Sequence, residues 1–243
     1  MAKPLLERQV SLIEHLTSPT AIFGGGGDRA ADLEGIDHAL LQVEARFAYA
    51  KRMEKITAVL PKTFELLGSG GAYVRAFVDS CPPTTLSRLE NACQFHRFLV
   101  SCWKREAPDP PYICDVAAFE IACAKVDADP EHHSSDRATG GDRAHSDDIR
   151  RCPNVILLHC IYDVRPIFES ASGKAVPVKR NTPLVVAMPP GAEGPQVFEV
   201  IPAIFDLLGA LDDWTDPQGL GADPDFTQLL ADLTERGLVE VGR

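Results

Sequence analysis

An α+β fold is what this sequence predicts: an N-terminal all-α helical bundle followed by a small winged-helix-like α+β domain. Three observations predict it. Up to residue 126 the apolar residues recur three and four apart, the helical period. Residues 127–151, "DADPEHHSSDRATGGDRAHSDDIRR", are polar, acidic and almost free of large apolar side chains. Beyond them, short runs rich in β-branched residues alternate with turn-forming segments. The expected domains are 1–126 as the bundle, 127–151 as a disordered acidic linker, and 152–243 as the second domain.

The elements follow in order. Residues 4–17 carry Leu5, Leu6, Val10, Ile13 and Leu16 at helical spacing. "SPTAIFGGGGDRAADLEG" reads as a loop, because its glycines and proline resist regular structure. From Asp37 to Leu67 the period is helical again, but Pro61 lacks an N–H and forces a break or a new start. Gly68 suits a helix C-terminus, where positive φ is wanted. Residues 71–79, 84–104 and 111–126 read as further helices, separated by Pro82-Pro83 and "APDPPY". Residues 127–151 cannot bury enough surface to offset chain entropy.

In the second half "NVILLHCIYDVRPIFE" is a strand candidate, and "TPLVVAM" and "QVFEVI" form a hairpin across "PPGAEGP". "PAIFDLLGALDDW" is a helix with Pro202 in its first turn. "DPDFTQLLADLTERG" is another, capped by Asp223 and closed by Gly237. "LVEV" is a last strand.

Composition restricts function. The net charge of −11 opposes non-specific binding to nucleic acid or an anionic membrane. The amphipathic N-terminus is not a signal peptide, and "VILLHCIY" is too short to span a bilayer, so a cytoplasmic protein is expected. Seven cysteines without a C-x-x-C pair read as thiols, several of them buried.

No catalytic motif emerges. Gly24 to Gly27 lacks the Gly-Lys-Ser/Thr of a phosphate loop and reads as a flexible turn. Asp127, Asp129, Glu131, His132, His133 and His145 are metal-ligand types, but they fall in the linker, where nothing rigid fixes their geometry. His159-Cys160 reads as a core or half-buried pair inside a strand. Glu120, on an apolar helix, reads as a structural partner of an arginine, with a tuned acid as the alternative. No cofactor is expected on this chain.

The order "ARFAYAKRMEKITAVLPKTFELLG", "YVRAFVDSCPP", "LENACQFHRFL" and "PPYICDVAAFEIA" resembles the N-terminal domain of the HvfC and BufC family. The matching marks are Arg46 and Tyr49, Leu60-Pro61, Leu66-Leu67-Gly68, Pro82-Pro83, Phe95 with Phe98-Leu99, and Tyr112 with Phe119-Glu120. The stretch from "LLHCIYDVRPIF" through "TPLVVAMPPG" to the final helix is similar to that family's C-terminal domain and to the methanobactin biosynthesis protein MbnC. The chain departs from the pattern in its long acidic linker and in "AYAKRM".

The resemblance implies a non-catalytic subunit. Its partner would be a TIM-barrel oxidase holding two or three non-haem irons, which modifies a cysteine of a ribosomally made precursor peptide to an oxazolone with a neighbouring thioamide. This chain would bind that enzyme and the peptide's leader.

A leader strand needs a sheet edge, where backbone hydrogen bonds supply affinity. The hairpin supplies the expected peptide-binding residues: Leu184, Val185, Val186, Ala187, Met188, Val197, Phe198 and Glu199. Alternation puts Leu184, Val186 and Met188 on one face and Val185 and Ala187 on the other. One set would pack on helices carrying Phe205, Leu208 and Leu229, and the other would line a groove. The alternative is that both sets are core and residues 156–161 cover the edge. Two other functions compete. A winged-helix DNA-binding regulator would need a basic recognition helix, but "DFTQLLADLTER" sets Asp225, Asp232 and Glu235 against Arg236 alone. An independent enzyme would use Glu120 with a histidine such as His96.

Overall fold

The computed structural model describes residues 5–24, 37–68, 71–128, 147–170, 175–220 and 224–242. The fold is α+β, with a helical N-terminal region followed by small antiparallel sheets. The chain divides into two compact units, Met1–Ala117 and Ala118–Arg243. Among the described residues no helix is long and apolar enough to cross a membrane.

The first unit contains α1 (Leu5–Leu16), α2 (Pro19–Phe23), α3 (His38–Val59), α4 (Pro61–Leu67), α5 (Gly71–Ser80), α6 (Arg88–Trp103) and the start of α7 (Ile113–Asp127). The break at Pro61 is present: α3 ends at Val59, Leu60 leaves helical geometry, and Pro61 opens α4. Gly68 closes α4 with φ of 61°. The helix α2 corrects the expectation of a loop there. Ser18 caps it, its hydroxyl accepting from the Ala21 N–H at 3.2 Å, and Pro19 sits in its first turn. The helix α6 starts later than its period suggests, because the Ser87 hydroxyl accepts from the Glu90 N–H and fixes the start at Arg88.

The helix α3 packs on α1, α2, α4 and α6. The core centres on Phe77 and Phe95, both fully buried, with ring centroids 4.9 Å apart edge to face. Not every apolar position joins that core. Leu5, Leu6, Val10 and Ile13 of α1 and Leu40, Val43 and Phe47 of α3 are exposed.

The second unit holds the remainder of α7, then β1 (Ile149–Arg151), β2 (Ile156–Asp163), α8 (Arg165–Glu169), β3 (Val178–Ala187), β4 (Gln196–Glu199), α9 (Pro202–Ala210), α10 (Pro224–Glu235) and β5 (Val239–Val241). Much of the expected linker, with Asp129, Glu131, His132, His133 and His145, lies outside the described residues, as do Gly25 to Gly27 and Asp223. Its end does not behave as a linker: Ile149–Arg151 form β1 and pair antiparallel with β5. Arg150 lies directly opposite Glu240 and forms an ion pair with it, and Arg151 pairs with Asp212. Cross-strand charge pairing therefore lets a strand form from residues that look solvated in sequence.

The larger sheet is antiparallel in the order β2-β3-β4. Register places Ile156 against Val186 and Leu158 against Leu184 on one side, and Val186 against Val197 and Leu184 against Glu199 on the other. One face of this sheet presents Val186, Ile156, Leu158 and Val197 to Ala122 and Val126 of α7. The other presents Val185, Ala187, Leu157 and Phe198 to Leu208 of α9 and Leu233 of α10. The helix α10 ends at Gly237, φ 67°, where the Leu238 N–H donates to the Leu233 carbonyl and the Gly237 N–H to that of Thr234.

Candidate functional site

Hydrogen bonding fixes which groups of the larger sheet are free to pair. Val200 donates from its N–H to the Pro183 carbonyl at 3.1 Å. That residue pair continues the β3–β4 register, so it is a hydrogen-bonded pair. Such pairs alternate along an antiparallel ladder. Phe198 and Gln196 therefore point their backbone groups at β3, while Val197 and Glu199 point theirs away from it. By the same alternation Leu184 and Val186 face β2, and Leu157 and His159 of β2 point outward. Pro183 is tolerated in the central strand because its missing N–H falls where β4 has already ended.

The eight expected peptide-binding residues divide on this basis. Leu184, Val185, Val186 and Ala187 lie in β3, the central strand, and all four are fully buried. With β2 on one side and β4 on the other, they offer no edge. Both of their side-chain sets are core, so neither lines an open groove, and residues 156–161 do cover β3. Met188 lies just past β3, half-buried against α7. Val197, Phe198 and Glu199 lie in β4, one of the two strands at the edges of this sheet. The Phe198 ring packs toward α9 and α10 with the Arg236 guanidinium 5.8 Å from its centre. The outward backbone groups of Val197 and Glu199 are the hairpin's positions for an added strand.

The Glu199 side chain belongs to a charge network that sequence reasoning missed. Arg165 donates to Asp163 through Nε and Nη2, at 2.8 and 2.7 Å, and to Glu199 at 2.5 Å. Arg180 meets Asp163 at 2.6 Å and Glu199 at 3.1 Å. Two carboxylates and two guanidiniums thus link the end of β2, the start of α8, β3 and β4. The paired hydrogen bonds from Arg165 hold the Asp163 carboxyl well down, at about 2. The Asp-x-Arg spacing at the end of a strand was the available signal.

The remaining candidates are dispersed. His159 is exposed, its ring edge to face with Phe205 at 6.0 Å, whereas its neighbour Cys160 is buried. Glu120 is buried on α7. Burial, with Glu120 adding to it, pushes the nearby Cys123 thiol up to about 11. Burial likewise pushes Cys152 up to about 12. All seven cysteines are free thiols, with Cys93 and Cys160 buried and the rest half-buried. Among the described residues no three His, Cys, Asp or Glu side chains gather as a metal site. The sheet can therefore offer main-chain pairing at its edges, beside a fixed charge network. Comparison of the sequence with models of protein families and with curated proteins gives no match.

Proposed function

We propose that this chain is the non-catalytic partner subunit of a multinuclear non-haem iron oxidase, cytoplasmic, and that it captures the leader of a ribosomally made precursor peptide. The observation that carries this reading is the edge of β4. Its faces are packed, but the amides and carbonyls of Val197 and Glu199 point away from β3. A leader laid there as a fourth strand takes affinity from backbone hydrogen bonds and needs little side-chain readout. The family resemblance supplies the chemistry of the partner: cysteine oxidation to an oxazolone and thioamide, carried out on a TIM barrel that holds the iron. The helical unit then serves as the surface for that enzyme.

The regulator reading finds less support. The helix α10 holds Asp225, Asp232 and Glu235 and no basic residue. Residues 118–243 carry 11 Lys and Arg against 21 Asp and Glu. A phosphate backbone meets repulsion there.

The test is co-purification. The chain, co-expressed with a non-haem iron oxidase of that class and its precursor peptide, is expected to form a complex whose iron comes with the oxidase. Elemental analysis of the chain alone is expected to find no stoichiometric iron. An iron-loaded, catalytically active isolated chain, or failure to retain either oxidase or precursor, overturns the reading.

A further inference from the structure

The helical unit contains a cleft of about 280 Å³ between α1, α3 and the segment leading into α6. Its walls are Leu16, Ile22, Val78, Pro83 and Leu86. Its polar groups are Tyr49, Lys51, Arg52, Lys55 and Asn91 with two threonines, and no Asp or Glu lines it. An apolar chamber with cations only is a chemically biased site.

Arg52 carries the argument. Its residue is 9% exposed, yet its guanidinium meets only neutral acceptors. Nε donates to Asn91 Oδ1 at 3.0 Å, Nη1 to the Cys81 carbonyl at 2.8 Å, and Nη2 to Gln94 Oε1 at 2.7 Å. The Phe77 ring lies against it, its centroid 4.4 Å from Cζ. Among the described residues no carboxylate pairs with it. A buried charge is costly unless it is paired, and hydrogen bonds alone leave its field uncompensated. Arg52 is also one of the residues lining the chamber, and charge beside a low-dielectric space is poorly screened.

Two more cations stand along the same face of α3. Lys55 donates to the Leu86 carbonyl at 2.8 Å, which fixes its ammonium at the cleft and leaves two of its protons unused. Lys51 rests over the Phe47 ring at 5.1 Å, with no carboxylate partner among the described residues. The Tyr49 hydroxyl, whose pKa burial raises, is a donor at any ordinary pH.

We propose that this cleft is a binding site for a small amphipathic carboxylate, its apolar chain in the chamber and its anionic head between Lys51 and Lys55. The volume lies just below the range of about 300 Å³ and upward typical of small-molecule sites, which suits a short acyl chain better than a nucleotide or a ring cofactor. The anion adds negative charge to a lining that holds Lys51, Arg52 and Lys55 and no Asp or Glu. The proposal is independent of the peptide edge on β4.

Isothermal titration of the full chain tests it, with decanoate, decylammonium and acetyl-leucyl-leucine as probes. Decanoate is expected to bind saturably at one site, at least about tenfold more tightly than decylammonium. That factor corresponds to about 1.4 kcal/mol of charge preference. Lys51→Ala with Lys55→Ala is expected to weaken decanoate about tenfold and leave the circular dichroism unchanged. Ala48→Trp, at an exposed helix position on the wall, is expected to fill the chamber and abolish binding. Equal affinity for the two decyl probes, no saturation, or wild-type affinity in a folded Ala48→Trp protein overturns the proposal. Tighter binding of the dipeptide than of decanoate overturns it in favour of a chain terminus.

Discussion

Asp163 and Arg165 form a two-pronged ion pair across only one intervening residue, with Oδ1 and Oδ2 accepting from Nε and Nη2 at 2.8 and 2.7 Å. The pair turns the chain from β2 into α8, and the same Nη2 also donates to Glu199 on β4. Two strands that do not touch are joined over the strand between them. Bidentate geometry of this kind is stronger and more directional than a single contact.

The pair predicts an acid-sensitive sheet. The folded Asp163 carboxyl sits at about 2 against an ordinary 3.8. A depressed folded pKa adds stability that is complete above the unfolded value and is lost as pH falls through the folded one. The window runs from about pH 4 down to about pH 2. After discounting for solvent around Arg180, which is half exposed, the contribution is about 1 to 2 kcal/mol. Urea titrations of wild type and Asp163→Asn are expected to differ by that amount at pH 7 and to converge near pH 2. A constant difference across that window, or none at pH 7, is the contrary result.

Gly237 predicts a local steric penalty. Its φ is 67°, and a Cβ built there would lie 2.9 Å from Cδ of the Pro190 ring. Left-handed geometry costs an L-residue about 1–2 kcal/mol, and a proline ring has little freedom to retreat. Gly237→Ala is expected to destabilise the protein by about 2–3 kcal/mol in denaturant titration. Gly191, also at positive φ but with nothing near its Cβ, is the control, and its alanine variant is expected to lose less.

These two sites also mark what could be read in advance. Pro61, Gly68 and Gly237 act through their own backbone chemistry, so their breaks and caps were legible. The hairpin of β3 and β4 was legible from its turn. Strand order was not, because pairing of β2 with β3 is non-local. The run Leu184 to Ala187 did carry the signal: an uninterrupted apolar stretch marks a strand covered on both faces. The strand β1 was hidden because Arg150 and Arg151 look solvated until Glu240 and Asp212 arrive from far along the chain. The cleft was hidden for the opposite reason. "AKRMEK" reads as a charged helix face, and nothing local says that Arg52 turns inward.

The strand β1 predicts a protease pattern. The polar composition around Arg137 and Arg143 favours early tryptic cleavage there. Arg150 and Arg151 are paired with β5 and held by ion pairs, so cutting them requires that pairing to open first. Limited digestion read by mass spectrometry is expected to give fragments ending at 137 or 143 before any ending at 150 or 151. Early cleavage after Arg150 means that β1 and β5 do not pair in solution.

The edge of β4 predicts a separation of binding from folding. Proline deletes one N–H, and the effect depends on where that N–H points. In Val186 it points at β2, from a fully buried residue of the central strand. Val186→Pro leaves a buried acceptor unsatisfied and is expected to cost about 2 kcal/mol or more. In Val197 it points outward, so Val197→Pro is expected to leave the protein folded, with a small loss in thermal stability. Leader affinity, measured by fluorescence anisotropy on a labelled precursor peptide, is expected to fall about tenfold in that variant. His159→Pro makes the same change on the outward side of β2, at an exposed residue, and is expected to bind the leader as wild type does. If His159→Pro weakens the leader while a folded Val197→Pro does not, the peptide pairs with β2 and the assignment to β4 is wrong. If both stay folded and bind normally, neither edge receives it.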